Sequence, residues 1–344
     1  MILLRFRQLL AAAFLIAFGS GVALAQATDG SQRNGYRYFE IGDVAAPRPQ
    51  PTSFGLMMVG GGDWPYDAFR WFIAKAGHGR IVVLRASGTV ESQDEFYKEI
   101  GGVTAVQTIV FEDRRAASDP KVLEIVRNAD GIFLAGGDQS NYVRMWKGTP
   151  LNEALDAHVR ANKPLGGTSA GLAIQGAYSY GAMDNGSIDS PKALANPLGS
   201  GVTLVDNFLH LPHLQQVITD SHFNARERQG RLIAFMTRVS QDYLSKQATP
   251  TPLFGLGIDE YTALCVDGQG QGQVYSGNGG HVWLFRMPRQ FDPLVAKKPL
   301  TATDVDVTGL DSGSTLHLQD MRVERPGFER RYQVKAGKLS ENPR

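Results

Sequence analysis

The sequence predicts an α/β protein: a mostly parallel sheet covered by helices on both faces. Two features carry that prediction. From about residue 55 to residue 170, short apolar runs of strand length alternate with helix-length segments. That is the pattern of strands buried on both faces. Three of the runs end in glycine-rich loops, where an open parallel sheet binds its ligands, beyond the carboxyl ends of its strands. The composition agrees: of 344 residues, 42% are hydrophobic and 20% charged. A disordered, collagenous or coiled-coil chain would not have that balance.

Taken in order, Gly55–Val59 reads as the first strand and runs into Gly60-Gly61-Gly62. Asp67–Ala76 follows as a helix, with Phe69, Phe72 and Ile73 as its apolar positions. Arg80–Leu84 is the second strand, ending in Ala86-Ser87-Gly88, and Glu91–Ile100 is helical in type. Val106–Phe111 is a third strand, and Pro120–Asn128 a short helix with proline in its first turn. Gly131–Leu134 is a fourth strand, ending in Ala135-Gly136-Gly137-Asp138. A helix at Leu151–Ala161 and the run Pro164-Leu165-Gly166 lead to Thr168-Ser169. Residues 55–290 are therefore expected to form one α/β domain. Beyond it, residues 291–344 read as a shorter, strand-rich extension with a loose end.

Two segments precede the domain. Residues 1–25 carry Arg5 and Arg7, then the apolar run Leu9–Phe18, then small residues at Ala23 and Ala25. This is the form of a secretory signal peptide, with cleavage expected after Ala25. The run is shorter than the ~20 apolar residues of a membrane span, and no other stretch approaches one. The expected product is therefore secreted or periplasmic. Residues 26–54 are polar, contain Pro47, Pro49 and Pro51, and read as a lead-in without a core pattern. Lys and Arg total 35 against 34 Asp and Glu, a formal charge of +1. A nucleic-acid binder would need a basic surplus. One cysteine rules out an intrachain disulfide framework.

The chemistry centres on Gly167-Thr168-Ser169-Ala170-Gly171, which fits G-x-S-x-G between a strand and a small-residue helix. That is the sequence form of a nucleophile elbow. The serine would stand at a helix N-terminus, where backbone N–H groups can stabilise an oxyanion. A hydroxyl nucleophile needs a base, and the base an orienting acid. Among seven histidines, His78, His158, His281 and His317 read as surface or core residues. His210-Leu211-Pro212-His213 invites a metal reading, but Pro212 breaks any helix that would align the pair and no cysteine lies near. His222 is the better base: it ends the apolar segment Val217–Thr219 and precedes a helix with Leu232, Phe235, Met236 and Val239 as its buried stripe. Arg226, Arg228 and Arg231 follow it, as either a solvated basic face or a carboxylate-binding rim. The acid is Asp259 or Glu260, side by side at a glycine-flanked strand end and equal on physics alone.

The set resembles the cyanophycinase and dipeptidase E group of serine peptidases. The resemblance covers roughly residues 55–290. It rests on Gly136-Gly137-Asp138-Gln139, on the G-x-S-x-G segment, on Asp220-Ser221-His222-Phe223 with the arginines after it, and on Gly257-Ile258-Asp259-Glu260. It implies a flavodoxin-like, class I glutamine-amidotransferase-like sheet and a triad in the order Ser169, His222, Glu260. That order differs from the Ser, Asp/Glu, His of α/β-hydrolases. It further implies an oxyanion hole from the Gly137 and Ala170 amides, and a substrate pocket of Gln139, Asp220, Ser221, Arg226, Arg228 and Arg231. Ser221 stands where cyanophycinases usually carry Gln, which implies an enlarged or rewired pocket. The implied substrate is cyanophycin, a polyaspartate with arginine on each side-chain carboxylate, cut to β-Asp-Arg dipeptides, or a related aspartyl peptide. No metal or organic cofactor is implied. The sequence leaves a homodimer open, and leaves open a serine esterase or lipase, or a non-catalytic binding protein, built on the same elbow.

Overall fold

The computed structural model describes residues 31–184, 186–246, 252–288 and 290–342. The signal-peptide segment lies outside them. β1 (Ser31–Arg33) and β2 (Tyr36–Gly42) open the chain as an antiparallel pair. Then come β3 (Gly55–Val59), α1 (Tyr66–Lys75), β4 (Arg80–Arg85) and α2 (Glu91–Asp94), which runs into a π-helical turn at Glu95–Ile100. β5 (Ala105–Phe111), α3 (Pro120–Asn128), β6 (Gly131–Leu134), α4 (Gln139–Trp146), α5 (Pro150–Arg160), β7 (Leu165–Thr168) and α6 (Ala170–Ala173) complete the alternating region. The helix starts are coded locally. Asp119 accepts from the Lys121 and Val122 amides with Pro120 at the first helical position, and Thr149 caps α5 ahead of Pro150. The helix α4, which the apolar pattern does not reveal, starts on the Asp138 side chain, an acceptor for the Ser140 amide.

The second half holds β8 (Tyr178–Tyr180), α7 (Ser190–Ala195), β9 (Leu204–Asp206), β10 (Val217–Asp220) and α8 (Gln229–Asp242). After α8 and a 3-10 turn at Leu244–Lys246, the described elements are strands: β11 (Phe254–Ile258), β12 (Thr262–Asp267), β13 (Gln271–Ser276), β14 (Val282–Arg286), β15 (Gln290–Phe291), β16 (Ala302–Leu310), β17 (Thr315–His317), β18 (Arg322–Glu324), β19 (Phe328–Lys335) and β20 (Lys338–Glu341).

These strands form two sheets. The first runs β1-β2-β5-β4-β6-β7-β3-β12-β13-β17-β18. Its centre, from β5 to β3, is parallel, as expected for strands buried on both faces. The second runs β20-β19-β16-β14-β11-β10-β8-β9, with β15 beside β16. Only β8, β10 and β11 pair in parallel there. The mixed α/β class is thus as the sequence predicted, with a second, largely antiparallel sheet added to it. The chain crosses between the sheets from β11 to β12, so Asp259, Glu260 and Tyr261 lie at the seam.

Two segment readings need correction. Residues 26–54 were expected to lack a core pattern, yet β2 pairs along its whole length with β5 and buries Tyr36 and Ile41. Its middle residues are only half-buried, near the edge of the sheet, so no clean alternation marks it. Residues 291–344 were expected to form an extension beyond the domain, yet their described strands belong to both sheets. β16, β19 and β20 continue the second sheet, and β17 and β18 the first.

Candidate active site

Ser169 occupies the turn between β7 and α6 with φ 52° and ψ −110°. A non-glycine residue there costs about 1–3 kcal/mol, and close packing enforces it. A Cβ on Gly171 would stand 2.0 Å from the Leu134 carbonyl oxygen, so the helix can begin against β6 only with glycine at that place. The Ser169 amide donates to the Val59 carbonyl at 3.0 Å. Its hydroxyl makes no capping bond; Oγ instead lies 2.7 Å from His222 Nε2.

His222 follows β10, also at positive φ, 47°. Its amide donates to the Gly60 carbonyl at 2.7 Å, and its ring rests on Gly61. Gly61 has φ 103°, and a Cβ on it would come within 2.3 Å of the imidazole Cε1. Only glycine meets both demands. On its other side, His222 Nδ1 lies 2.6 Å from Glu260 Oε1. Asp259, the alternative acid, points elsewhere. It is buried and accepts from the Asn224 amide, the His281 amide and Trp283 Nε1 at 2.9–3.0 Å. It pins the segment after His222 to β14, and the imidazole pairs with Glu260 instead. With Glu260 accepting from Nδ1–H, Nε2 is free to take the serine proton. Burial lowers the His222 pKa below its ordinary value, and Arg226 and Arg228 lower it further against the opposing hydrogen bond from Glu260. The shift favours the neutral imidazole, the form in which Nε2 can accept a proton.

A cleft of about 150 Å³ opens in front of this pair. Gly137 and Gln139 form one wall. Ala170, the first residue of α6, has an N–H with no partner within the helix. Gln139 lines the cleft and donates to the Tyr180 carbonyl at 3.3 Å. Ser221, buried, lines it too. Arg226 is exposed on the rim and has no side-chain partner among the described residues. Arg228 reaches the cleft from below. Its Nη1 donates to the Ser221 carbonyl at 2.6 Å and lies 3.3 Å from Asp220 Oδ1. Burial lowers its pKa to about 10, which leaves it charged at neutral pH.

Asp220 and Arg231 sit behind the cleft and outside its lining. Arg231 is 2% exposed and grips Asp220 with two prongs, Nε to Oδ2 at 2.8 Å and Nη2 to Oδ1 at 2.5 Å. Its third nitrogen donates to Ser187 Oγ and the Ile188 carbonyl. The carboxylate that the arginine cluster binds most fully is thus one of the chain's own, and neither a solvated basic face nor an open rim describes Arg228 or Arg231. The sequence reading missed Ala182, Gly186 and Ser187, which close the cleft from the loop after β8. The turn residues Asp184, Gly186 and Ser187 mark a loop but give no sign of where it lands. His210 pairs with Asp156 at 2.7 Å, and His213 packs edge-on against Phe54.

The sequence model of Peptidase family S51 matches residues 72–273, a span holding the serine, the histidine and both acids. The chain belongs to peptidase family S51. It is a serine-type peptidase, a hydrolase. Among curated relatives, a cyanophycinase from Trichormus variabilis is 26% identical over 304 residues, covering 85% of this chain and 95% of that protein. One from Synechococcus elongatus is 32% identical over 193 residues, covering 55% and 53%. Among solved structures, a peptidase from an acI-B1 Actinobacterium aligns with a TM-score of 0.47 at 18% identity over 67% of this chain and 90% of that one.

Proposed function

We propose that the chain hydrolyses cyanophycin, releasing β-Asp-Arg dipeptides through an acyl-enzyme on Ser169. The observation that carries the mechanism is the unbroken line of Oγ, Nε2, Nδ1 and Oε1, with contacts of 2.7 and 2.6 Å. Ser169 Oγ attacks the aspartyl carbonyl carbon while its proton passes to His222 Nε2. The oxyanion is held by the Gly137 and Ala170 amides. The imidazolium, steadied by Glu260, protonates the leaving amide nitrogen as the C–N bond breaks. Water then attacks the ester, gives its proton to His222, and Ser169 recovers its hydroxyl. Each polymer unit carries a guanidinium and a free carboxylate. Arg226 suits that carboxylate, since a guanidinium binds it with two prongs. Asp220 and Arg231, paired to each other, would hold Arg228 and the loop around Ser187 in place.

The likeness to cyanophycinases supports the substrate. Ser221, where cyanophycinases usually carry Gln, leaves more room beside Arg228. The reading includes export, with a mature chain starting at Gln26, which N-terminal sequencing of the expressed protein checks. Incubation with insoluble cyanophycin and mass analysis of the supernatant tests the chemistry. Soluble β-Asp-Arg is expected from the wild type and none from Ser169→Ala, with the variant's thermal unfolding unchanged. Full activity in Ser169→Ala overturns the serine assignment; no soluble product from the wild type overturns cyanophycin as substrate.

A further inference from the structure

A second cavity lies apart from the Ser169 cleft. It measures about 990 Å³ and shares no lining residue with that cleft. It begins where the His222–Glu260 pair ends. Gly62 lies in its wall, and a Cβ on Gly62 would stand 3.3 Å from Glu260 Cβ. Tyr261, next after Glu260, is a second wall residue, held at φ 55°. Trp64, Tyr66 and Tyr275 add further aromatic surface.

The charges in this cavity fall into two groups. Arg70 and Asp67 satisfy each other at 2.8 Å, and Tyr66 donates its hydroxyl to Glu95 at 2.8 Å, which pushes the phenol up to about 12. Asp63 and Arg325 are different. Both are exposed, both line the cavity, and neither side chain has a partner among the described residues. One free carboxylate and one free guanidinium on aromatic walls match a ligand that itself carries a guanidinium and a carboxylate. Aromatic faces favour the guanidinium, Asp63 would take its N–H groups, and Arg325 the carboxylate. The volume is within the range of small-molecule sites, about 300–1,000 Å³. Most of the wall, namely residues 62–67, 70, 274–277, 312–315 and 325, comes from outside the segment that the family model matches.

We propose that this cavity is a second binding site, which takes a zwitterionic aspartyl-arginine unit of the polymer while Ser169 acts on another. The inference rests on the proposed substrate. Its value to the enzyme is effective concentration: an insoluble chain held at a second point presents its other units to the cleft without re-encounter.

The test uses the full chain carrying Ser169→Ala, titrated calorimetrically with β-Asp-Arg dipeptide and sedimented with insoluble cyanophycin. Two dipeptide sites are expected. Asp63→Asn with Arg325→Gln should abolish one and lower partition onto the polymer about tenfold, with thermal unfolding unchanged. Arg226→Gln should weaken the other. In the active enzyme, the Asp63/Arg325 variant should cleave a short soluble β-Asp-Arg oligomer at the parent rate and the insoluble polymer more slowly. A single dipeptide site, or a titration unchanged by the double variant, overturns the proposal. These outcomes are read without catalysis, so they stay separate from a failure of the parent enzyme to cleave cyanophycin, which would overturn the substrate instead.

Discussion

His222 sits where its charged form is disfavoured, and the cause is divided among neighbours. Burial contributes most, Arg226 and Arg228 add to it, and the Glu260 hydrogen bond works the other way. The sign for catalysis follows. The base is active when neutral, so kcat/KM should fall on the acidic side with its midpoint below that of an ordinary imidazole. Arg226→Gln removes one lowering charge, so the acidic limb should move to higher pH whatever happens to the absolute rate. A pH–rate profile reads this directly, and a limb that stays put or moves lower shows that His222 is not the titrating base. Gly61 acts on the same ring through shape. Gly61→Ala adds a Cβ at φ 103° into the imidazole. The ring must shift by a large fraction of an ångström, and displacement of that size costs about a hundredfold in rate. Activity should fall at least that far while the variant still unfolds cooperatively. Near-parent activity would show that the loop yields instead.

At the level of elements, the pair between β10 and α8 separates support from substrate contact. Asp220 and Arg231 are 2% exposed each. Losing one member strands the other in the interior, at a cost of about 3–5 kcal/mol. Asp220→Asn and Arg231→Met should each lower stability by about that amount in urea titration, and the double variant by less than the sum. If both unfold like the parent while only KM rises, the pair contacts substrate after all. The same elements show what the sequence made legible. The strands β3 to β7 were readable because burial on both faces leaves uninterrupted apolar runs, and the elbow because its glycines have no substitute. Asp259 and Glu260 could not be told apart, since their roles depend on which one faces His222 and which one Trp283. Nor could the burial of Arg231 be read: an arginine at a helix start looks solvated until its carboxylate, eleven residues earlier in sequence, is found beside it. Gly60-Gly61-Gly62 was visible as a loop, but its place beneath the imidazole is a tertiary fact.

Across the molecule, the two sheets meet at the site, and each depends on the C-terminal strands. The serine comes from the end of β7 in the first sheet, the histidine from β10 in the second, and the acid from the crossing between β11 and β12. Glu260 therefore keeps its place only if β11 does. β11 is paired with β14 and β14 with β16. β16 and β19 bury Val305, Val307, Leu310, Tyr332 and Val334, and β17 covers β13 of the other sheet with Leu316. Burying side chains of this size contributes about 1.5–3 kcal/mol each, together as much as a domain's whole net stability of about 5–15 kcal/mol. Deleting residues 292–344 should therefore abolish the cooperative thermal transition as well as activity. Deleting only residues 337–344 removes β20, whose residues are mostly exposed, and should leave fold and activity largely intact. Were the longer deletion to fold and cleave, the C-terminal strands would be an appendage, and the seam that positions Glu260 would stand on the first 291 residues alone.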